Sequence, residues 1–379
     1  MKEQQVLSGI CNAGMPRRQF LRNSVLLSVP LVLGGISLPA AASTYVPPTR
    51  TRGTTVLSVK TYGAVGDGIH DDTAAFQAAI NALPAAGGTV NVPAGTYLID
   101  PTRKINLRSY MLLNMDPNAI LKAKSNSAIR AYILFASKRT QVEIAGGQLM
   151  GDRDTHTYVS TSTSEWNHGI QIIGCTGVTI RDLWVGKCAG DGICTGGNTS
   201  DLVIANVVST QNRRQGLSLT WCHDVQVHDS EFSYTKGTSP ECGIDIEPDN
   251  TDPAYNILIQ NCRLNNNAKY GINIYKRASN INLDGCTIES NGSCGVVTLG
   301  CSQVTVQNSL VQNNSATGVQ FYSGSNLTMK NNVSFNNYCR LGNKDRVDFY
   351  LTGYNSKVSR DMLIRSTATN VTIGSNFYK

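Results

Sequence analysis

The 379-residue sequence lacks three features that would assign it to common protein classes. It has no block of Lys and Arg, and its net charge of +7 is mild, so the composition excludes a dedicated nucleic-acid surface. It has no C-x-x-C pair with metal-ligand spacing, although it contains 11 cysteines. No apolar run is long enough to span a membrane comfortably, which excludes stable membrane insertion of the mature chain. The mild positive charge suits an anionic partner.

The N-terminus has the pattern of an export signal. Arg17 and Arg18 lie in Pro-Arg-Arg-Gln-Phe-Leu-Arg, an apolar run follows, and a row of alanines at 40–42 offers a cleavage site. This pattern resembles the twin-arginine signal of bacteria, which exports folded proteins, and an ordinary secretory signal or lipid-facing anchor is the alternative. We predict a twin-arginine leader at 1–42, a linker at 43–55 and one domain at 56–379. The mature protein is then periplasmic or secreted.

A repeat of 23 to 28 residues organises the centre of the sequence. Each copy begins with a glycine that opens a short alternating strand, and a second strand follows and ends at Asn, Asp or Gly. The repeat glycines are Gly169, Gly192, Gly216, Gly243, Gly271, Gly295 and Gly318. This period, with two or three strands per turn, predicts an all-β fold, a right-handed parallel β-helix whose stacked coils share one core.

Two other patterns fit this solenoid. Residues 71–83 have a helical apolar stripe, and Asp71 or Asp72 can cap its N-terminus, so we expect one helix that covers the first coil. Five cysteines recur at repeat positions, and folding before export would take place in a reducing cytoplasm. We therefore expect stacked buried thiols that act as small hydrophobes, without a disulfide framework.

Two stretches near the start of the predicted domain carry a family resemblance. They are Val-Lys-Thr-Tyr-Gly-Ala-Val-Gly-Asp-Gly-Ile-His-Asp-Asp-Thr-Ala-Ala-Phe-Gln-Ala-Ala-Ile at 59–80 and Gly-Gly-Thr-Val-Asn-Val-Pro-Ala-Gly-Thr-Tyr-Leu-Ile at 87–99. Both resemble the N-terminal segment of the pectate-lyase-like superfamily, shared by certain phage tailspikes, rhamnogalacturonase-type hydrolases and bacterial mannuronan epimerases. The resemblance implies the β-helix and an acidic polysaccharide as partner, and a monomer or, as in tailspikes, a homotrimer.

The resemblance is weaker for the reaction type. The Asn-Thr-Asp, Asp-Asp and Arg-Ile-Lys motifs of the family's hydrolases are absent from the coils. The epimerases carry Tyr-Gly-Phe-Asp-Pro-His-Glu, and its nearest counterpart, His-Gly-Ile-Gln-Ile-Ile at 168–173, lacks the Asp and the second His. Arg214 alone resembles an arginine that the epimerases carry two coils later.

Charge is concentrated on the fourth coil, at Asp245, Glu247 and Asp249. Residues two and four past each glycine are expected to point outward and to form the wall of a groove. Basic groups on neighbouring coils flank the three carboxylates. The predicted catalytic residues are Asp245, Glu247, Lys276, Arg277, Arg214 and His223.

Two mechanisms fit this cluster. Pectate lyases hold Ca²⁺ on carboxylates, so the resemblance implies a calcium ion on Asp245, Glu247 or Asp249 that binds the substrate's uronate. A basic residue (Lys276, Arg277 or Arg214) would then remove the proton beside the uronate carboxylate, and the leaving sugar would depart by β-elimination.

The second mechanism is hydrolysis by paired acids. Asp245 and Glu247, two apart on one strand, stand roughly 6.6 Å apart, which leaves room for a water as in inverting enzymes, and His223 would position that water or the leaving group. A third interpretation is structural charge, because Arg214, Glu241 and Lys269 share one repeat position and can form a surface column. The protein would then be a non-catalytic polysaccharide-binding or envelope-structural β-helix.

An interruption of the repeat between 151 and 168 is expected to overhang the groove. Its aromatic side chains can stack on sugar rings, or they can be pinned under their own loop. The predicted substrate-binding residues are Trp166, Tyr158, Trp221, Tyr275 and Lys269.

Overall fold

The computed structural model of the protein describes residues 45–159, 165–248, 251–337, 357–358 and 362–378. The predicted leader and Asp249 lie outside these described residues. Within them, strands dominate, with one α-helix and one 3-10 helix (Val59–Tyr62). No helix among the described residues is long and apolar enough to cross a membrane.

Strands recur in groups of three along the chain. In chain order they are β1 (Thr55–Ser58), β2 (Asp67–Asp71), β3 (Gly88–Val92), β4 (Gly95–Ile99), β5 (Ile105–Asn106), β6 (Met111–Met115), β7 (Ala119–Ala123), β8 (Arg130–Ser137), β9 (Thr140–Ala145), β10 (Gln148–Met150), β11 (Trp166–Ile173), β12 (Thr176–Arg181), β13 (Trp184–Gly186), β14 (Ile193–Gly196), β15 (Thr199–Ala205), β16 (Val208–Thr210), β17 (Gln215–Leu219), β18 (Cys222–His228), β19 (Glu231–Ser233), β20 (Cys242–Ile246), β21 (Ala254–Gln260), β22 (Arg263–Asn265), β23 (Ile272–Tyr275), β24 (Ala278–Asp284), β25 (Thr287–Glu289), β26 (Val296–Gln307), β27 (Leu310–Gln312), β28 (Val319–Lys330), β29 (Val333–Phe335), β30 (Lys357–Val358), β31 (Met362–Ile364), β32 (Ala368–Ile373) and β33 (Phe377–Tyr378).

These strands stack into three parallel ladders, as the repeat predicts. The first, called the site ladder here, runs β5-β8-β11-β14-β17-β20-β23 and continues into β26, β28 and β31. A second ladder runs from β1 to β32, and a third of 12 strands runs from β2 to β33. The first two merge into one 21-stranded sheet because β26 and β28 pass through the corner without a break. The prediction of a right-handed parallel β-helix is confirmed.

The repeat glycines are needed for close stacking. A Cβ atom on Gly216 would lie 2.6 Å from the carbonyl oxygen of Gly243, and a Cβ on Gly243 would lie 2.7 Å from that of Gly271. The turn after the second strand has a left-handed backbone, with φ of 54° at Asn206 and 53° at Asn261. Asn and Asp adopt this conformation more readily than other non-glycine residues, which explains their recurrence there.

The ladders enclose one continuous apolar core. Inward positions of successive coils, such as Ile170, Leu217 and Ile244, belong to it and are fully buried. All nine described cysteines are buried, and none of them is joined to another in a disulfide, which confirms the expectation of packed thiols within this part of the chain.

Helix α1 (Thr73–Asn81) covers the first coil, as predicted. Its side chains Phe76 and Ile80 are fully buried in the core. The Asp71 carboxylate accepts a hydrogen bond from the Thr73 backbone N–H at the helix start. Asp72 instead accepts from the backbone N–H groups of two residues in the preceding turn, so the two acids have different structural roles.

Residues 45–53, part of the segment whose composition predicts a linker, lie against the β-helix. We call them the strap. Tyr45 stacks on His228 with ring centroids 3.6 Å apart, and its backbone N–H donates to Asp229. Arg50 is buried and donates to Thr179 and Asp201. The strap therefore crosses the second ladder from β9 to β18.

Candidate active site

A cleft of about 330 Å³ lies along the site ladder. Its buried side chains form a floor and its partly exposed ones form a rim. The acidic and basic lining side chains are Glu165, His168, Asp191, Arg214, Glu247, Lys276 and Arg277, and the aromatic ones are Trp166 and Tyr275. Six of the predicted site residues are therefore brought together here: Trp166, Arg214, Glu247, Tyr275, Lys276 and Arg277.

Arg214 and Asp191 form an ion pair at the floor. Nη1 of Arg214 lies 3.2 Å from a carboxylate oxygen of Asp191, and Ser218 donates to the same oxygen at 2.8 Å. Burial opposes the charge on Arg214, but Asp191 and Asp245 outweigh it and raise the pKa of the guanidinium above its usual value. Arg214 is therefore a permanent cation, and the prediction that it can serve as a base is not supported.

His168 is neutral and has a defined tautomer. Burial lowers the pKa of His168 to about 4, Asp191 opposes this shift, and Arg214 and Arg130 add to it. The backbone N–H of Asp191 donates to Nδ1 of His168 at 3.0 Å, so the proton of the neutral ring is assigned to Nε2. Nε2 has no hydrogen-bond partner among the described residues. His168 is one of the residues that line the cleft.

Asp245 lies beneath the cleft, and the prediction that it forms the groove wall is wrong. The register places it beside Ser218 and Asn273 as expected, yet its side chain is fully buried. Gln215 and Asn273 donate to its two oxygens. Burial raises the pKa of Asp245 well above its ordinary value, Glu247 adds to the rise, and Arg214 opposes it. A buried, amide-capped carboxyl cannot form the surface acid pair predicted with Glu247.

The rim of the cleft carries both acidic and basic side chains. Glu247 is 46% exposed, and its carboxylate lies 3.6 Å from Nη2 of Arg214. Lys276 is exposed, with its ammonium 5.6 Å from the centre of the Tyr275 ring. Arg277 donates to the carbonyl oxygen of Pro248. Among the three predicted basic residues, Lys276 is thus the one whose ammonium reaches solvent at the cleft.

Other predicted residues lie away from the cleft lining. His223 pairs with Asp224 at 2.8 Å and stacks on the Tyr255 ring, on the second ladder. The Tyr158 ring is covered by the Arg213 guanidinium at 4.2 Å, so it is pinned by its own surroundings. Trp221 is absent from the lining, and Lys269 pairs with Glu241 at 3.6 Å. That pair agrees with the structural-charge interpretation of Lys269 and Glu241.

His168, Asp191 and Glu165 were missed by the sequence patterns. His168 and Asp191 each precede a repeat glycine by one residue, as Gln215 does on the next coil. Stacked coils place His168, Asp191 and Gln215 at the same position of three successive coils, 23 or 24 residues apart in sequence. A search of the position before each glycine would have found His168 and Asp191, whereas Glu165 lies four residues before its glycine.

The described residues do not fit the calcium site that the resemblance implies. Calcium prefers six to eight oxygen ligands, whereas both oxygens of Asp245 already accept amide hydrogen bonds. Burial, which raises the pKa of Asp245 well above its ordinary value, also disfavours the charged form that a cation would bind.

A softer metal is also disfavoured. His168, Asp191 and Cys194 bring one possible ligand atom each within 4.8 Å of one another. However, the proton on Nε2 of His168 blocks that nitrogen, and its Nδ1 is already an acceptor for a backbone N–H. The Arg214 guanidinium, 3.2 Å from Asp191, would repel a cation. This set therefore fits a polar ligand better than a metal ion.

Comparisons with known proteins identify the family. A model of the right-handed β-helix region matches residues 143–299 and 241–343, and a model described as rhamnogalacturonase A/epimerase, pectate lyase-like, matches residues 56–183. The chain belongs to the pectate-lyase-like superfamily of right-handed β-helix proteins.

Individual relatives agree with this assignment. The uncharacterized protein YclG of Bacillus subtilis is 31% identical over 280 residues, which cover 66% of this chain and 48% of YclG. Mannuronan C5-epimerase AlgE1 of Azotobacter vinelandii is 63% identical over 43 residues, or 11% of this chain and 3% of the epimerase. The chain thus spans about half the length of YclG and a much smaller share of AlgE1.

Solved structures share the fold. The A-module of mannuronan C-5 epimerase AlgE4 of Azotobacter vinelandii superposes with a TM-score of 0.61 at 20% identity, covering 85% of this chain and 97% of that chain. The tailspike protein gp49 of Acinetobacter baumannii bacteriophage Fri1, a capsular polysaccharide depolymerase, has a TM-score of 0.61 at 15% identity, covering 85% and 62%. At these identities the likeness establishes the fold.

Proposed function

We propose that the protein is an enzyme that acts on a uronate-containing polysaccharide, by removing the proton beside a uronate carboxylate and cleaving the chain by β-elimination. The observation that carries the proposal is the floor of the cleft, where a permanent cation, Arg214, stands beside the neutral N–H donor of His168. The named activities of the epimerase and depolymerase relatives, which act on polysaccharides, support the same substrate class.

Arg214 and His168 would bind the uronate carboxylate. Removal of the neighbouring proton puts a second negative charge on the carboxylate oxygens, so donors aimed at them stabilise the transition state more than the substrate. A guanidinium offers two parallel N–H groups to such a group. A neutral imidazole N–H can polarise an anionic oxygen in the same way without losing its proton.

Glu247 would take the proton. The reacting carbon is bonded directly to the carboxylate carbon, so it would lie next to Arg214, whose Nη2 is 3.6 Å from the Glu247 carboxylate. The C–H bond breaks toward Glu247, a carbon–carbon double bond forms, and the bond to the glycosidic oxygen breaks. The ammonium of Lys276 on the same rim supplies a proton to that oxygen.

The burial of Asp245 disfavours hydrolysis by the predicted pair of Asp245 and Glu247. An inverting hydrolase needs two carboxyl groups that both reach the substrate, and among the described residues Asp245 cannot act with Glu247 in that way. Epimerisation begins with the same proton removal, and the 63% identity to a mannuronan epimerase over 43 residues makes it the second candidate. The two differ in whether the glycosidic bond breaks.

The test incubates the full-length mature protein with polymannuronate, polyguluronate, polygalacturonate and a neutral glucan. The absorbance of unsaturated uronate should rise with at least one acidic polymer and stay flat with the glucan. Glu247→Gln should lower the rate at least about a hundredfold, in the range of a lost general base. Glu241→Gln is the matched control, because Glu241 lies on the same coil and pairs with Lys269 away from the cleft lining.

Other products would refute β-elimination. Deuterium uptake from solvent without chain cleavage would assign an epimerase, and new reducing ends without absorbance would assign a hydrolase. Binding of an acidic polymer with none of these products would assign a non-catalytic binding module.

A further inference from the structure

We propose that a patch beside the cleft, formed by Lys104, Arg130, Tyr132 and Phe135 and called the distal patch here, binds a second anionic sugar of the same polysaccharide chain. It would hold a sugar unit at the β8 side of the cleft, away from the unit that contacts Glu247. The proposal rests on the proposed function for its ligand class. Its test measures binding and not turnover, so the distal patch can be refuted while the proposed function stands.

The distal patch is a preformed cation–aromatic cluster. The Lys104 ammonium lies 3.8 Å from the centre of the Phe135 ring and 5.7 Å from that of Tyr132. The two rings stack with centroids 5.5 Å apart and an angle of 18° between their planes. Both rings and Lys104 are half-buried, so these side chains lose little freedom when a ligand binds.

The patch is continuous with the floor and rim of the cleft. Tyr132 stacks on His168 with centroids 5.7 Å apart, because the two residues are register partners on β8 and β11. Arg130 pairs in register with Trp166, and its guanidinium lies 4.6 Å from the centre of the indole ring. A polymer that leaves the cleft on this side therefore meets the patch next.

The two cations of the patch have no acidic partner. Within the described residues, neither Lys104 nor Arg130 has a carboxylate oxygen within 4.0 Å, whereas Arg50, Arg181 and Arg214 all do. Their positive charge is held in place by aromatic rings, which do not neutralise it. A cation ordered in this way is available to an anion, and uronate polymers carry one carboxylate on every acidic unit.

The spacing predicts how many units are bound. From β8 with Phe135 to β23 with Tyr275, the site ladder makes the steps β8-β11-β14-β17-β20-β23. At about 4.8 Å a step, the patch and the far rim are separated by roughly 24 Å. One sugar unit of a linear polymer is about as long as one step, so the groups span on the order of five units. Such a binding surface favours cleavage inside a chain over removal of terminal units.

The test measures affinity as a function of chain length. Calorimetry would use Glu247→Gln as a background that does not turn over, with oligouronates of about two to eight units from whichever polymer wild type binds. In this background the affinity should increase with the length of the oligouronate up to about five units and then level off. Adding Lys104→Met should lower affinity for the hexamer about fivefold, as expected for one exposed ion pair, and leave the dimer unchanged. Lys104→Arg should restore the hexamer affinity.

The same titrations include a control variant at Arg103. Arg103 is exposed and adjacent, with no aromatic ring contact among those found for the described residues, so Arg103→Met should match the background at every length. An equal loss for dimer and hexamer, or equal losses for Lys104→Met and Arg103→Met, would overturn the distal patch. If no oligouronate binds wild type, the proposed function itself fails and this proposal fails with it.

Discussion

The strap offers a sharp stability prediction at Arg50. Its side chain is 6% exposed and donates five hydrogen bonds, at 2.6 to 3.1 Å, to Thr179, Val178 and Asp201. Hydrogen bonds from a charged donor are worth about 1.5–3 kcal/mol each when one partner is lost, and the exposed ion pair adds at most about 1 kcal/mol. Because these bonds share one guanidinium, we expect Arg50→Ala to cost about 3 kcal/mol.

The free-energy cost of Arg50→Ala depends on which of its hydrogen-bond partners are buried. Asp201 is 53% exposed, so water replaces Arg50 there, and Asp201→Asn should cost about 1 kcal/mol or less. The buried Thr179 hydroxyl and Val178 carbonyl provide the larger share. Val46 is in the same strap but 84% exposed, so Val46→Ala is the control and should change stability by less than about 0.5 kcal/mol.

Urea unfolding followed by circular dichroism would measure the midpoint and slope of each variant. Since solenoids can unfold coil by coil, hydrogen exchange should also show faster opening of β9, β12 and β15 than of the last coils in Arg50→Ala. A loss below about 1 kcal/mol, or one equal to that of Val46→Ala, would show that the strap does not hold the coils together.

Three further predictions concern the site. Because burial raises the pKa of Asp245 well above its ordinary value and so disfavours its charged form, Asp245→Asn should destabilise the fold less than Asp245→Ala, which should cost about 2–3 kcal/mol; equal losses in urea unfolding would contradict this. The pKa of His168 is lowered to about 4 from an ordinary 6.5, so the unfolded chain binds more protons between these values and stability should fall as pH drops from 6.5 to 4, by roughly 3 kcal/mol from this group. His168→Gln should flatten that part of the stability–pH profile, and an unchanged profile would refute the assignment. A calcium chelator should leave activity within about twofold, because Asp245 is capped by amides; a large loss would place an ion on Glu247 and residues outside those described.

The fold followed from the sequence because the solenoid repeats one local rule. The glycine column and the left-handed Asn and Asp turns are each dictated within a single coil, and stacking then fixes the rest. Even the register of Ser218 with Asp245 and Asn273 was predictable. The twin-arginine leader and the monomer or homotrimer state stay predictions.

The site was harder to predict because its geometry depends on what covers each side chain. Alternation places Asp245 outside the core, but it cannot show that Gln215 and Asn273 cap it there. His168 and Asp191 meet only because one coil is wound upon the next. The strap was missed for a similar reason: its partners on Asp201 and Asp229 are distant in sequence, and its own composition has no periodicity.

The position of the strap has a consequence for the order of folding. Tyr45 binds Asp229, 184 residues later in the chain, although Tyr45 leaves the ribosome first. It cannot find this partner until the coils through β18 have been synthesised and stacked. The Tyr45 end of the strap therefore remains unattached until the chain has been synthesised as far as Asp229, and it docks on coils that have already stacked. The contact between Tyr45 and Asp229 can therefore form only after the middle of the β-helix has folded.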